Sequence, residues 1–84
     1  MFKMSRDYNF QMRNKLKYKL GRNIKAERIR RDLTQEEFAE MIDMSLSHVS
    51  KIEQGITSPT AIALFKMAKI LCIPMEKFFE GIEI

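Results

Sequence analysis

Apolar residues recur at helical spacing along most of the chain, and residues with special backbone preferences divide that pattern into short segments. Leu20, Ile24 and Ile29 with Ala26 fit one amphipathic helix ending near Asp32-Leu33, with Arg22, Lys25, Arg30 and Arg31 on its other face. Thr34 then precedes Gln35-Glu36-Glu37. This is a capping box, in which the Thr hydroxyl and the Glu37 carboxylate each satisfy an amide that a helix start leaves unpaired. The second helix buries Phe38, Ala39 and Ile42 and stops at Asp43, a poor helix former that tolerates the left-handed conformation. Ser45 caps a third helix from Leu46 to Gln54, with Val49 and Ile52 inward and Gly55 at its end. After a loop from Ile56 to Pro59, Thr60 caps a fourth helix, which carries Ala61, Leu64, Ala68 and Leu71 and ends before Pro74. A short fifth helix from Met75 to Glu80 would bury Phe78 or Phe79.

Residues 1–19 support two patterns. Tyr8, Phe10 and Met12 alternate with polar residues, as do Leu16, Tyr18 and Leu20, which suits a hairpin across Arg13-Asn14. Met12, Leu16, Leu20 and Ile24 also recur every four residues, which suits a longer first helix.

With 84 residues, 45% of them hydrophobic, the chain is sized for one small domain and is too apolar for disorder. Its core is thin, so a second subunit would help to cover apolar surface. No apolar run is long enough to span a membrane and no secretory signal opens the sequence, so the expectation is a cytoplasmic protein without a membrane partner. One cysteine, Cys72, and one histidine, His48, exclude an internal disulfide and a structural zinc site; Cys72 reads as a small buried hydrophobe. No cofactor or metal is expected. Catalysis has no foothold either: there is no second histidine, no nucleophile beside a base and no glycine-rich phosphate loop.

Charge separates the chain into two parts. Residues 1–31 hold eleven of the fifteen basic side chains against Asp7 and Glu27, a net +9, and the remainder carries −5. The basic end attracts polyanions such as nucleic acid. The third helix is unusual for a surface helix, because Leu46, Ser47, His48, Ser50 and Lys51 stand where glutamates and lysines would be ordinary. Two short helices joined by a tight turn, the second with a small outward face free of acids, are the ingredients of a helix-turn-helix whose second helix enters a major groove about 12 Å wide.

The joint spacing of these residues resembles the Cro/C1-type (XRE) helix-turn-helix family of small bacterial and phage regulators. The match runs from Leu20 to Phe79 through Leu20-Gly21, Ile24, Arg28, Leu33-Thr34-Gln35-Glu36-Glu37-Phe38-Ala39, Met44-Ser45, Val49 through Gly55, Pro59, Leu64, Met67-Ala68-Lys69, Leu71 and Phe78-Phe79. The resemblance implies an all-α, five-helix, lambda-repressor-like DNA-binding domain over 20–84, preceded by a basic N-terminal extension over 1–19. It further implies that Leu46, Ser47, Ser50 and Lys51 face bases, and that Thr34, Gln35, Ser45, His48, Gln54, Gly55 and Thr57 lie near phosphates. Gln35 would also brace the recognition helix, and Arg28 would pair with Glu53 inside the scaffold. Asp43 and Cys72 stand where the family usually has a helix-ending glycine, and Pro74 where it often has a capping hydroxyl, so the turn into the last helix is expected to be reshaped. Four apolar residues in the last seven, Phe78, Phe79, Ile82 and Ile84, are assigned to a dimer interface.

The function implied is a homodimeric transcriptional regulator of double-stranded DNA, a repressor on a palindromic operator. The alternatives are an activating controller protein of a restriction-modification system, and an antitoxin or adaptor whose partner is a protein such as a toxin or RNA polymerase.

Overall fold

The computed structural model describes the backbone of residues 6–83 and the side chains of residues 14–83. Four α-helices follow one another, α1 (Arg6–Arg30), α2 (Gln35–Met41), α3 (Leu46–Glu53) and α4 (Ala61–Leu71), and a single 3-10 turn, Met75–Phe79, takes the place of the expected fifth helix. No strand occurs among the described residues, so the longer first helix, and not the hairpin, is the form that residues 6–19 take. At 1.5 Å per residue α1 is about 37 Å long, which accounts for most of the molecule's 46 Å long axis.

Each of the three later helices starts where a hydroxyl can cap it. The Thr34 side chain accepts from the Glu37 amide at 3.0 Å while the Thr34 amide donates to Glu37 Oε1 at 2.9 Å, completing the capping box. Ser45 accepts from the His48 amide at 3.1 Å, and Thr60 from the Ala63 amide at 3.1 Å.

The four helices also end alike. Beyond each lies a residue with positive φ, Asp32 (56°), Asp43 (58°), Gly55 (79°) or Cys72 (57°). The next residue's amide then returns to a carbonyl five positions back: Leu33 to Arg28, Met44 to Ala39, Ile56 to Lys51 and Ile73 to Ala68, at 2.9–3.3 Å. This is the hydrogen-bond pattern of a Schellman motif, and it turns the chain so that the following apolar side chain folds back on the helix. Leu33, Met44 and Ile73 accordingly pack against the core. Cys72 therefore adopts the left-handed turn instead of reshaping it, and its side chain is exposed, not buried as its composition suggested.

The core joins Ile24 of α1, Phe38 and Ile42 at α2, Val49 and Ile52 of α3, Leu64, Met67 and Leu71 of α4, and Phe78. Ile29 departs from the expected pattern at 53% exposed, because the inward face of the last α1 turns belongs to Glu27 and Arg28. Among the interface candidates Phe78 is corrected to a core residue. It is fully buried within one subunit, and its carbonyl accepts from the Asn23 amide nitrogen at 2.7 Å. Phe79 is 44% exposed and Ile82 is half-buried, while Ile84 lies outside the described residues.

Candidate nucleic-acid interface

Helix α3 separates its faces by residue type. Val49, Ile52 and Glu53 are buried, and Leu46, Ser47, His48 and Lys51 are exposed, with Ser50 half-buried beside them. Glu53 is the only acid in the helix and it points inward, so the outward face carries no carboxylate. Ser50 Oγ accepts from Gln54 Nε2 at 2.8 Å, which ties one candidate base reader to one candidate phosphate contact. That bond uses the hydroxyl only as an acceptor, and its proton is left to be donated.

The inward Glu53 is held on three sides. Arg28 Nε donates to Oε2 at 2.7 Å and Nη2 to Oε1 at 3.0 Å, and Gln35 Nε2 donates to Oε1 at 2.9 Å. Arg28 Nη1 goes on to the Leu33 carbonyl at 2.6 Å, at the end of α1. One carboxylate thus fixes α3 to the end of α1 and the start of α2. Burying ions is costly unless every lone pair and proton finds a partner, and no buried side-chain nitrogen or oxygen among the described residues lacks one. Thr34, Ser45 and Gln54 are exposed at the helix ends and Thr57 is half-buried in the loop that follows Gly55.

Two features escaped the sequence reading. Glu27 is buried with only 4% of its side chain exposed, and it accepts from Arg30, and from Arg31 at 3.0 Å. Its spacing of three and four residues from those arginines was the available signal. The second is the closeness of α1 to α3. A Cβ on Gly21 would lie 2.3 Å from the Ile52 carbonyl oxygen and 2.8 Å from that of Glu53, so only glycine permits this approach.

The sequence model of the helix-turn-helix family matches residues 24–78, which includes α2, the turn and α3. The chain belongs to this helix-turn-helix family. A curated relative, an uncharacterized transcriptional regulator in the ATPase CF(0) region of Rhodospirillum rubrum, is 31% identical over 64 residues, or 76% of this chain. The chain spans 59% of that relative's length. Among solved structures, the restriction-modification controller protein C.AhdI from Aeromonas hydrophila superposes with a TM-score of 0.71 at 26% identity, covering 74% of this chain and 94% of that one. A helix-turn-helix family transcriptional regulator from Vibrio cholerae gives 0.75 at 27% identity, covering 83% of this chain and 39% of that one. The resemblance to XRE-type regulators drawn from the residues is thereby supported by both sequence and fold, and family and fold alike are those of DNA-binding regulators. No described helix of this helix-turn-helix protein is long and apolar enough to cross a membrane.

Proposed function

We propose that the chain is a sequence-specific regulator that binds duplex DNA as a homodimer on a palindromic operator in the cytoplasm and represses by excluding polymerase. The observation that carries this reading is the acid-free outward face of α3, held in place from within by Glu53. Leu46, Ser47, Ser50 and Lys51 are assigned to base edges, where hydroxyls and an ammonium can donate and Leu46 can meet a thymine methyl. Thr34, Gln35, Ser45, His48, Gln54, Gly55 and Thr57 are assigned to the flanking phosphates. Gln35 Nε2 already donates to Glu53, so its second proton is the one left for an anion.

Exposed Phe79, half-buried Ile82 and, on α4, exposed Ile62 and Phe65 supply apolar surface for the second subunit. The test is selection of bound duplexes from a random pool. A two-fold symmetric site with half-sites one helical turn apart, about 34 Å, supports the reading, and a pool that never enriches defeats it. Within the selected site, Ser47→Ala and Lys51→Ala should change base preference, whereas His48→Ala should weaken all sequences alike. Similarity to a restriction-modification controller over nearly the whole of that protein favours activation as the second reading. Transcription measured from a promoter beside the operator distinguishes the two. An antitoxin or adaptor role would instead appear as a stable protein complex combined with no enriched site.

A further inference from the structure

The family match begins at residue 24, yet α1 starts eighteen residues earlier, and nothing so far accounts for that added, strongly basic stretch. Its course brings it to the recognition helix. At Gly21 the α1 backbone passes against Ile52 and Glu53, and a Cβ on Gly55 would lie 2.7 Å from Tyr18 Cα and 3.1 Å from Tyr18 N. Tyr18 therefore sits directly on the turn by which the chain leaves α3.

One helical turn from Tyr18 stands Arg22. Its guanidinium lies over the Tyr18 ring, 5.6 Å from the centroid, and Nη1 donates to the Tyr18 hydroxyl oxygen at 3.3 Å. Both side chains are exposed, as is Lys15 one turn before Tyr18. Arg28, Arg30 and Arg31 each pair with a carboxylate, whereas Arg22 pairs with none among the described residues. Lys19 differs from Lys15 in being engaged, donating to the Gly81 carbonyl at 3.3 Å.

We propose that Lys15, Tyr18 and Arg22 form a phosphate-binding edge of α1 that grips the DNA backbone flanking the half-site read by α3. The inference rests on the DNA-binding reading above and extends its contact surface beyond the matched family region. The cation–π contact and the hydrogen bond to Tyr18 hold the guanidinium beside the ring while leaving its other N–H groups free to meet a phosphate bidentately. The Tyr18 hydroxyl, already accepting from Arg22, has its own proton to donate to the same anion. Lys15 adds a second charge one turn along the helix, matching a backbone that carries a charge at every nucleotide.

The test compares the full chain with Arg22→Gln, Arg22→Lys and the double variant Lys15→Gln/Arg22→Gln by fluorescence anisotropy on the selected duplex, from about 50 to 200 mM salt. The double variant is expected to weaken specific and unrelated duplexes by about the same factor, on the order of tenfold, and to flatten the log–log salt slope by about 4, because the homodimer loses two phosphate contacts in each of its two subunits. Arg22→Lys should recover most of the slope but less of the affinity, because the ammonium cannot meet a phosphate in two places. Trimming the duplex to the half-sites should cost the wild type affinity and leave the double variant unchanged. A double variant with the wild-type slope and the wild-type dependence on flanking duplex overturns the inference while the reading of α3 stands. A wild type that binds no duplex removes both together.

Discussion

Arg28 grips both carboxylate oxygens of Glu53 although the two residues are 25 positions apart, and they remain only 7% and 5% exposed. Removing either partner leaves the other charge buried and unpaired, so Glu53→Ala and Arg28→Ala should each cost about 3–5 kcal/mol in urea unfolding. The double variant Arg28→Met/Glu53→Leu should recover much of that loss, since a buried ion pair is rarely more stable than well-packed apolar residues of similar size. A double variant no better than the singles would mean that the pair stabilises the fold outright.

Gly21 should tolerate no side chain. The methyl of Gly21→Ala would press on two backbone carbonyls, which cannot swing away as a flexible side chain can, and α1 would have to part from α3. A loss of about 1–3 kcal/mol is expected, against less than about 0.5 kcal/mol for Lys25→Ala on the exposed side of the same helix. Comparing their thermal midpoints checks it.

Cys72→Gly should stabilise the protein. A non-glycine residue in the left-handed region costs about 1–2 kcal/mol, part of which glycine gives back through the greater entropy of its unfolded chain. The net gain expected is about 0.5–1 kcal/mol, read as a rise of a few degrees in melting temperature. Asp43→Gly, at a turn of the same geometry, should act in the same direction.

The capping box predicts a pH response. The Thr34 amide that donates to the Glu37 carboxylate, aided by the Thr34 hydroxyl, lowers the Glu37 pKa below its ordinary value of 4.5. A group whose pKa falls on folding stabilises the protein above the unfolded value and loses that contribution as pH drops through the folded one. The advantage of the wild type over Glu37→Gln in thermal melts should therefore hold above about pH 4.5 and close below it. A gap that persists at lower pH would show that the charge on Glu37 is not its source.

Much of the fold was legible because its signals are local. A hydroxyl three residues before a helix amide or a residue prone to positive φ acts within a few positions, so Thr34, Ser45 and Thr60 announced the starts of α2, α3 and α4, and Asp43 and Gly55 the ends of α2 and α3. The phase of apolar residues along α3 likewise determined which side chains face out, while the choice of base readers among them is what the family resemblance implies. Tertiary structure alone decided the rest. Whether Arg28 displaces Ile29 from the inward face depends on where Glu53 lies in space, and Phe78 rather than Phe79 fills the core because the last turn docks against α1 through Asn23. The meeting of Tyr18 with Gly55 has no trace in either local pattern, since it is fixed by the angle at which one helix crosses another. Periodicity assigns a side to every residue of a helix, but only packing determines what that side touches.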